Sequence, residues 1–250
     1  MNNVLGIDIG GSGVKGAPVD LKKGEFAQER FRIETPEEST PDNVAEVVAQ
    51  IVDHFADQIG KGPIGITIPA PVRHGRVPMI ANLHESWKDL EAEKFFEKKL
   101  GRAVTLVNDA DAAGVAEVQY GAAKGTEGVV ILTTLGTGIG TAVINDGILL
   151  PNTELGHIEV DGKDAETRAA HSVKERKDLS YQEWAERLQR YYETMQMLFW
   201  PDLFVVGGGV SKKADKFLPL LELDTPIVPA KLQNSAGIVG AAWLAAERSH

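Results

Sequence analysis

Three clusters of glycines each follow an apolar run, a placement that is typical of loops that hold phosphate. The clusters are Gly10, Gly11, Gly13 and Gly16; Gly136, Gly138 and Gly140; and Gly207, Gly208 and Gly209. Because glycine has no Cβ, the backbone there can approach a phosphate closely and turn several N–H groups towards it. One such cluster is more often a tight turn, but three at the ends of apolar runs favour phosphate binding.

These clusters do not match two common nucleotide motifs. The lysine and Ser/Thr of a Walker A loop do not follow any of them at the required spacing. The first two clusters continue into extended sequence, whereas a dinucleotide-binding fingerprint leads directly into a helix. We therefore expect the first two clusters to form turns between the strands of hairpins.

Acidic residues stand near these clusters. Asp8 precedes the first one, where its carboxylate could hold Mg²⁺ directly or through water, or could cap a turn. Asp109 follows Asn108 at a predicted strand-to-helix junction, where an acid is either a reactive carboxylate or an ordinary helix cap. In "TELGHIEV", Glu154 and His157 could reach one site, and a carboxylate with an imidazole suits a polyhydroxylated ligand better than a metal.

Strands alternate with helices in a way that would position these residues. The sequence predicts a strand at "VLGIDIG", a helix that Thr40 caps, strands over 64–69 and 104–109, and helices over 90–100 and after Asp109. Such alternation favours a mixed or parallel sheet covered by helices.

The second half of the chain begins as the first half does. "GVVILTTLGTGIGTAVINDGILL" predicts strand, glycine turn, strand, an Asn-Asp-Gly hairpin and another strand. The pattern of strand, glycine loop and strand therefore occurs twice and indicates an internal duplication. We also expect a long helix from Ser180, with Trp184, Leu188, Tyr191, Met195 and Leu198 as its apolar stripe, and a helix over 212–221.

Composition narrows the class of protein. The 250 residues carry a formal net charge of -10 and include no cysteine. The charge argues against nonspecific binding to nucleic acid or anionic membranes, and the lack of cysteine excludes disulfides and thiolate metal sites. No apolar run approaches the roughly 20 residues that span a bilayer, and no targeting segment is evident at the N-terminus. We expect a cytoplasmic protein with no nucleic-acid or membrane partner.

Longer motifs carry a family resemblance. They are "GIDIGGSGVKG", "ANLHESW", "VTLVNDADAAGVAEVQYG", "LTTLGTGIGTAVINDG", "LLPNTELGHIEV", "HSVKERKDLSYQEWA", "WPDLFVVGGGVSKKADKFLPLL" and "VPAKLQNSAGIVGAA". Over nearly its whole length the chain resembles the ROK sugar kinases of the actin-like ATPase superfamily. It is most similar to the branch that phosphorylates glucose with inorganic polyphosphate.

The resemblance implies a fold. This is an α/β, two-domain actin-like (ribonuclease H-like) ATPase fold with a cleft between the domains. The N-terminal domain would cover 1–109 and the C-terminal domain 110–250, with the final helix, about 238–247, packing back on the N-terminal domain. A homodimer is implied as well.

The resemblance also implies an activity and the residues that perform it. The terminal phosphoryl group of polyphosphate, and also of ATP, would pass to the 6-hydroxyl of glucose, with mannose as a second acceptor. Asp109 would be the general base, and Asp8 would position Mg²⁺ directly or through water. The implied sugar ligands are Asn82, Asn108, Asp109, Glu154, His157 and Glu166. The implied phosphate-binding residues are Gly10, Gly11, Ser12, Gly13, Lys15, Thr134, Gly136, Thr137 and Gly138. The implied nucleotide or polyphosphate region comprises Gly207, Gly208, Gly209, Lys174, Arg176 and Lys212.

Two features bear on these implications. Many members of the family carry a cysteine-rich zinc motif after the equivalent of His157, and this chain has none, so no zinc is expected and His157 is expected to bind sugar directly. An acidic protein needs local basic clusters to hold a polyanion, and "VKERKD" and the lysines after Gly209 could supply them.

Two other functions stay open at this point. One is an ATP-specific kinase for another hexose or for an N-acetyl sugar. The other is a sugar-sensing repressor, which is disfavoured because the first strand starts at Val4 and leaves no room for a helix-turn-helix.

Overall fold

The computed structural model describes residues 3–248. The first two and last two residues of the predicted domains therefore lie outside the described residues. The strands are β1 (Val4–Gly10), β2 (Gly13–Asp20), β3 (Glu25–Phe26), β4 (Phe31–Ile33), β5 (Ile64–Ile68), β6 (Val104–Asn108), β7 (Val129–Leu135), β8 (Ile139–Asn145), β9 (Ile148–Leu150), β10 (Glu159–Val160), β11 (Lys163–Asp164), β12 (Leu203–Gly207) and β13 (Ile227–Pro229). The α-helices are α1 (Pro41–His54), α2 (Ala56–Ile59), α3 (Ala92–Leu100), α4 (Asp109–Tyr120), α5 (Glu166–Ala169), α6 (His171–Arg176), α7 (Tyr181–Phe199) and α8 (Ala236–Glu247). Short 3₁₀ helices cover Glu85–Trp87, Leu155–His157, Gly209–Lys216, Leu218–Leu220 and Gln233–Ser235.

The chain divides into two compact units. Unit 1 comprises Met1–Ala116 and Ser235–His250, and unit 2 comprises Glu117–Asn234. The division falls inside α4, and the chain returns to unit 1 for α8.

Unit 1 is built on a sheet in the order β3-β2-β1-β5-β6, with β4 also paired to β2. β1 and β2 form an antiparallel hairpin, whereas β5 and β6 run parallel to β1. Leu5, Ile7 and Ile9 of β1 are buried in the core, together with the apolar face of α1, which Thr40 caps as predicted. The hairpin turn lies at Gly11 and Ser12, because Gly10 pairs with Gly13. The first glycine cluster is thus a turn between strands, as the sequence predicts.

Helix α8 packs on β1 and β5 at positions where only glycine fits. A Cβ added to Gly6 would overlap the carbonyl of Ile238, and one added to Gly65 would overlap the carbonyl of Ala241. Gly240 of α8 lies in the same way against the carbonyl of Ala112. Gly6 and Gly65 let the backbone of α8 lie directly on β1 and β5, and Gly240 lets it lie on α4. Contact on several sides is consistent with a helix that is apolar around most of its circumference.

This close packing predicts a large loss of stability for Gly65→Ala. The added methyl group would collide with backbone atoms, which cannot move aside as a flexible side chain could. We expect a loss of about 3 kcal/mol in the free energy of unfolding, measured by urea denaturation. Gly62→Ala is the matched control, because its Cβ would meet only ordinary contacts, the nearest at 3.5 Å. Equal stability of the two variants would contradict this description of the packing.

Unit 2 repeats the strand order of unit 1. Its sheet runs β13-β12-β7-β8-β9, with the β7–β8 hairpin in the place of β1–β2 and the parallel strands β12 and β13 in the places of β5 and β6. The predicted hairpin at Asn145-Asp146-Gly147 is confirmed, and both Asp146 and Gly147 have positive φ, at 49° and 80°. The shared order and direction of strands support the internal duplication.

Helix α7 is confirmed, but one residue of its predicted stripe is wrong. Ser180 and Glu183 form the predicted capping box, and the stripe is buried as far as Met195. Leu198 is 58% exposed, because Phe199, four residues after Met195, packs against the core in its place.

The segment predicted as one helix over 212–221 is helical but not continuous. The segment forms two 3₁₀ helices with a kink at Lys213, where φ is -117° and ψ is 24°. Pro219 lacks the N–H group that a continuous helix would need, which accounts for part of the break.

Within residues 3–248, no helix is long and apolar enough to cross a bilayer.

Candidate active site

Asp8 lies in a row of side chains across neighbouring strands of unit 1. It pairs in register with Lys15 of β2 and with Thr67 of β5. The Thr67 hydroxyl donates to Asp8 Oδ1 at 2.9 Å, and Lys15 Nζ lies 3.6 Å from Asp8 Oδ2. The side chains of Asp8 and Lys15 remain 26% and 28% exposed, so a ligand can reach both.

The surroundings of Asp8 fit Mg²⁺. Protein-bound Mg²⁺ usually takes one or two carboxylates and completes its shell with water and substrate phosphates. Among residues 3–248, no group of three or more His, Asp or Glu side chains is arranged to hold a metal. Gly237 leaves room beside it, since even an added Cβ would stand 3.9 Å from Asp8 Oδ1.

The first glycine turn is fastened by two side chains that sequence reasoning missed. Thr35 Oγ1 donates to the carbonyl oxygen of Gly10 at 2.5 Å, and the Arg32 guanidinium donates to the carbonyl oxygen of Ser12 at 2.7 Å. Both contacts use carbonyl oxygens of the turn, so neither of these side chains occupies one of its N–H groups. Asn82, exposed in a loop, lies nearby, with its carbonyl oxygen 3.6 Å from where a Cβ on Gly11 would stand.

Asn108 and Asp109 differ at the start of α4: Asn108 caps the helix, and Asp109 is exposed. Asn108 Oδ1 accepts from the N–H groups of Ala110 at 2.8 Å and Asp111 at 3.1 Å, so Asn108 is the helix cap. Its amide also donates to the carbonyl oxygen of Ala70 at 3.2 Å, which leaves one N–H for a ligand. Asp109 is exposed, and its Oδ1 accepts from the N–H of Ala110 at 2.8 Å. Asp109 thus places an acidic side chain in the first turn of α4, at the positive end of the helix dipole.

Asp8 and Asp109 belong to the same edge of the unit 1 sheet. β1, β5 and β6 are parallel, and in register Asp8 stands beside Thr67, which stands beside Val107. Asp109 follows two residues after Val107, at the carboxyl end of β6. Ligands of open α/β sheets bind at the carboxyl ends of the strands, so this edge is the candidate site within unit 1.

In unit 2, the second and third glycine clusters meet at one pocket of about 260 Å³. Its lining includes Gly136 and Thr137 of the β7–β8 turn, Gly209, His171 and Lys213. Lys213 lines this pocket, whereas Lys212 is exposed and lies outside the lining.

Ser172 holds the second glycine turn in place. Its N–H donates to the carbonyl oxygen of Gly136 at 3.0 Å, and its hydroxyl donates to that of Thr137 at 2.6 Å. Thr134, near the end of β7, precedes this turn in the chain. Gly208 has a φ of 82°, and an added Cβ would lie 2.5 Å from the carbonyl oxygen of Leu135, so only glycine fits there. The two clusters are therefore packed together by backbone contact.

Glu154, His157 and Glu166 lie close together in unit 2, and Asp164 joins them. His157 Nδ1 lies 2.8 Å from Asp164 Oδ2 across the β10–β11 hairpin. Glu166 Oε2 accepts from the N–H of Ile139 at 2.8 Å and lies against Gly138, so it also braces the second glycine turn. Asp164 fixes the ring of His157 and leaves Nε2 for a ligand.

This cluster changes the acidity of two of its members. Burial raises the pKa of the Glu154 carboxyl, with nearby His157 lowering it and Glu166 raising it. The hydrogen bond to Asp164 raises the pKa of His157, and the charges of Glu166, Asp164 and Glu154 act in the same direction against a lowering effect of burial. Glu154 therefore takes up a proton, and His157 loses one, at higher pH than these side chains normally do.

Lys174 of "VKERKD" and Lys216 of a later segment both lie over one aromatic ring. Lys174 Nζ lies 4.4 Å from the ring centroid of Tyr181, and Lys216 Nζ lies 5.6 Å from it. Tyr181 stacks in turn on Phe217. Arg176, the last residue of α6, is exposed. Lys174 and Lys216 form a cationic surface over the ring of Tyr181.

Sequence reasoning missed Asp164, Arg32, Thr35, Thr67 and Ser172. Only Asp164 had a usable signal, because a second acid after "DG" in "EVDGKD" indicates a hairpin that brings it back towards His157. The others come from distant parts of the chain and depend on strand register.

Both units contain a sheet of the same strand order. In each unit the first hairpin, β1–β2 or β7–β8, has a glycine turn. This arrangement is that of the actin-like ATPase fold. Residues 4–171 match the ROK family. This protein belongs to that family.

Similar proteins were found among curated sequences and among solved structures. The chain is 52% identical to a polyphosphate glucokinase from Mycobacterium tuberculosis over 239 residues, which cover 95% of this chain and 89% of the relative. It matches the crystal structure of an inorganic polyphosphate/ATP-glucomannokinase from Arthrobacter sp. strain KM with a TM-score of 0.93 and 50% identity, over 99% of this chain and 100% of the other. A ROK family glucokinase from Streptomyces griseus, solved in complex with glucose and AMPPNP, shares the fold with a TM-score of 0.84 at 23% identity, over 98% of this chain and 100% of the other.

Proposed function

We propose that this protein transfers the terminal phosphoryl group of inorganic polyphosphate, and also of ATP, to the 6-hydroxyl of glucose and so forms glucose 6-phosphate. The observation that carries the proposal is the likeness, at 52% identity over 95% of the chain, to a polyphosphate glucokinase. The glycine turn at each leading hairpin and the exposed carboxylate of Asp109 provide the chemistry that such a transfer needs.

Asp109 would act as the general base. The oxygen of the sugar 6-hydroxyl attacks the terminal phosphorus, its proton passes to the Asp109 carboxylate, and the bond to the bridging oxygen of the donor breaks. Polyphosphate leaves one phosphate shorter, and ATP leaves as ADP. Asn108 would act mainly by fixing the start of α4 under Asp109, because its carbonyl oxygen is already used as the cap.

Asp8 would hold Mg²⁺, directly or through water, beside the first glycine turn. When bound, the ion neutralises charge on the donor's phosphate oxygens. Lys15 and the N–H groups of the Gly10–Gly13 turn would bind the same phosphates, and the Gly136–Gly138 turn with Thr134 would bind phosphate from unit 2.

Glu154, His157 and Glu166 would accept hydrogen bonds from the sugar hydroxyls in unit 2, and in unit 1 Asn82 is a further candidate for sugar binding. A carboxylate accepts two such bonds, and His157 Nε2 can accept while Nδ1 donates to Asp164. We expect no zinc at His157, since the chain has no cysteine to complete a zinc site of the kind that many members of the family carry.

The test of the acceptor is a panel of sugars with one donor. Glucose should be the best acceptor, mannose a weaker one, and ³¹P–¹H NMR should place the phosphate on O6. Preferred turnover of N-acetylglucosamine, or phosphate on another hydroxyl, would contradict the proposal.

The raised pKa of Glu154 predicts a pH dependence of sugar binding. The ordinary value is 4.5, and burial raises it, so the carboxylate gains its proton as pH falls through a higher value and then accepts fewer hydrogen bonds. We expect KM for glucose to rise on acidification in that window, above pH 4.5. Glu154→Gln should raise KM about tenfold at neutral pH, a loss typical of a charged hydrogen bond, and should remove this step from the pH profile.

His157 titrates at higher pH than Glu154, so a His157 variant is the comparison for the pH dependence of Glu154→Gln. Its raised pKa means that the His157–Asp164 pair contributes fully below pH 6.5 and loses its charge as pH rises through the raised value. A His157→Gln variant should still show the rise of KM for glucose on acidification, which the Glu154→Gln variant should lack. Persistence of that step in Glu154→Gln would show that another group causes it.

Charge reversal at Lys174 and Arg176 should weaken long donors selectively. Lys174 and Lys216 form a cationic surface over Tyr181, and the exposed Arg176 ends the helix that carries Lys174. In the Lys174→Glu/Arg176→Glu variant, we expect KM for long-chain polyphosphate to rise about tenfold or more, with little change for ATP or glucose. Lys94→Glu/Lys98→Glu, on α3, is the control for net charge. Equal increases in KM for glucose and polyphosphate would contradict this role.

We also propose that the protein forms a homodimer. Met197, Leu198 and Trp200 are exposed at the end of α7, at 67%, 58% and 73%, and an apolar patch of this kind is typical of an interface. A monomer in sedimentation equilibrium at micromolar concentration would refute this proposal.

A further inference from the structure

Arg32 lies directly on the first glycine turn, although nothing in its sequence context suggests a role there. Its guanidinium donates to the carbonyl oxygen of Ser12 at 2.7 Å. Within residues 3–248 it forms no ion pair with a carboxylate, and it is exposed. A guanidinium has five N–H donors, so most of them remain for a ligand at this turn.

Strand register places Arg32 beside Lys15. Asp8 of β1 pairs with Lys15 of β2, and Lys15 pairs with Arg32 of β4. Residues that face each other across strands point to the same face of the sheet, so the two cations are neighbours there. Like charges in directly opposed positions destabilise a sheet. Asp8 balances Lys15 but not Arg32, and this leaves an excess of positive charge beside the turn.

Gly13 leaves space for the guanidinium of Arg32 because it has no side chain. A Cβ on Gly13 would lie 2.7 Å from Arg32 Nε and 2.9 Å from Cζ. The absence of a side chain at Gly13 therefore lets the guanidinium lie across the end of the hairpin. Gly13 and the guanidinium of Arg32 therefore pack against each other, a contact that the hairpin turn itself does not require.

We propose that Arg32 binds a phosphate of the donor at the first glycine turn, together with Lys15. The ligand class is a condensed phosphate, either inorganic polyphosphate or the phosphates of a nucleotide. The inference rests on the proposed function for its role in turnover, but phosphate binding by this pair can be measured without turnover. Because each donor places phosphate at this turn, Arg32 serves both donors, in contrast to Lys174 and Arg176, which serve long chains.

The experiment measures the binding of inorganic tripolyphosphate with Mg²⁺ to the full chain by calorimetry, without sugar. Arg32→Gln should weaken binding about 10- to 100-fold, as expected for the loss of a charge-assisted hydrogen bond. In kinetics it should raise KM for polyphosphate and for ATP alike, with KM for glucose unchanged. Arg30→Gln is the matched control, because Arg30 is an exposed arginine two residues earlier that precedes β4.

A second variant separates ligand binding from support of the turn. Gly13→Ala should displace the flexible guanidinium while leaving its charge in place, and should weaken tripolyphosphate binding without adding to the effect of Arg32→Gln in the double variant. Arg32→Gln that binds tripolyphosphate as Arg30→Gln does would overturn the inference. A lower thermal midpoint with unchanged binding would likewise overturn it, in favour of a purely structural role. If Arg32→Gln weakens tripolyphosphate binding but the unmodified protein phosphorylates no sugar, the proposed function fails and the inference stands.

Discussion

Asp109→Asn is expected to lower kcat by about 10²- to 10⁴-fold, the usual contribution of a general base. The amide has the shape of the carboxylate and can still accept from the N–H of Ala110, so the start of α4 should persist. It cannot take the proton of the attacking hydroxyl. KM for glucose and the affinity for glucose measured by calorimetry should change little, since binding does not need the base.

Asp57→Asn is the control for Asp109→Asn. Asp57 is an exposed acid in the first turn of helix α2 in the same unit, and its replacement makes the same change of charge. Its turnover should equal that of the unmodified protein. Near-normal kcat in Asp109→Asn would rule out Asp109 as the base and would direct attention to another carboxylate of the site.

Asp8→Asn is expected to lower kcat/KM by about 100-fold or more and to raise the Mg²⁺ concentration needed for half-maximal rate, because metal neutralisation of phosphate charge contributes several kcal/mol. The amide can keep the bond from Thr67 but cannot supply a negative charge to the ion, and it leaves Lys15 without its partner. Mn²⁺ binding followed by electron paramagnetic resonance in the presence of tripolyphosphate should weaken in parallel.

Thr67→Val provides a graded comparison for Asp8→Asn. It removes the hydroxyl that donates to Asp8 Oδ1 but keeps the carboxylate and nearly the same volume. The loss should be about tenfold or less, which is typical of one hydrogen bond, with a smaller change in the Mg²⁺ requirement. An unchanged Mg²⁺ requirement in Asp8→Asn would place the ion elsewhere.

Much of the fold could be predicted because its signals are local. The caps at Thr40 and Ser180, the Asn-Asp-Gly hairpin and the glycine turns each depend on a few adjacent residues, and the structure contains all of them. The limits of local patterns appear at Leu198, where helical periodicity fits two neighbouring residues and tertiary packing selects Phe199.

The candidate site could be predicted only where its residues stand in motifs. Asp8, Asp109, Glu154 and His157 stand beside glycines or at strand ends, so their residue types attract attention. Arg32 and Thr67 have no such context, since they reach the site through pairing of β4 with β2 and of β5 with β1. Such register depends on the whole sheet. The cap formed by Asn108 was likewise ambiguous, because Asn and Asp are both good caps and only the hydrogen bonds distinguish them.

The most direct test of the proposed function is the formation of glucose 6-phosphate from glucose and Mg²⁺, with nucleotide-free long-chain polyphosphate compared with ATP. We predict turnover on polyphosphate without any nucleotide, with the donor shortened by one phosphate for each glucose 6-phosphate formed. Turnover on ATP alone would contradict polyphosphate as the donor while leaving Asp109 as the base. No glucose 6-phosphate with either donor would contradict the proposed function itself.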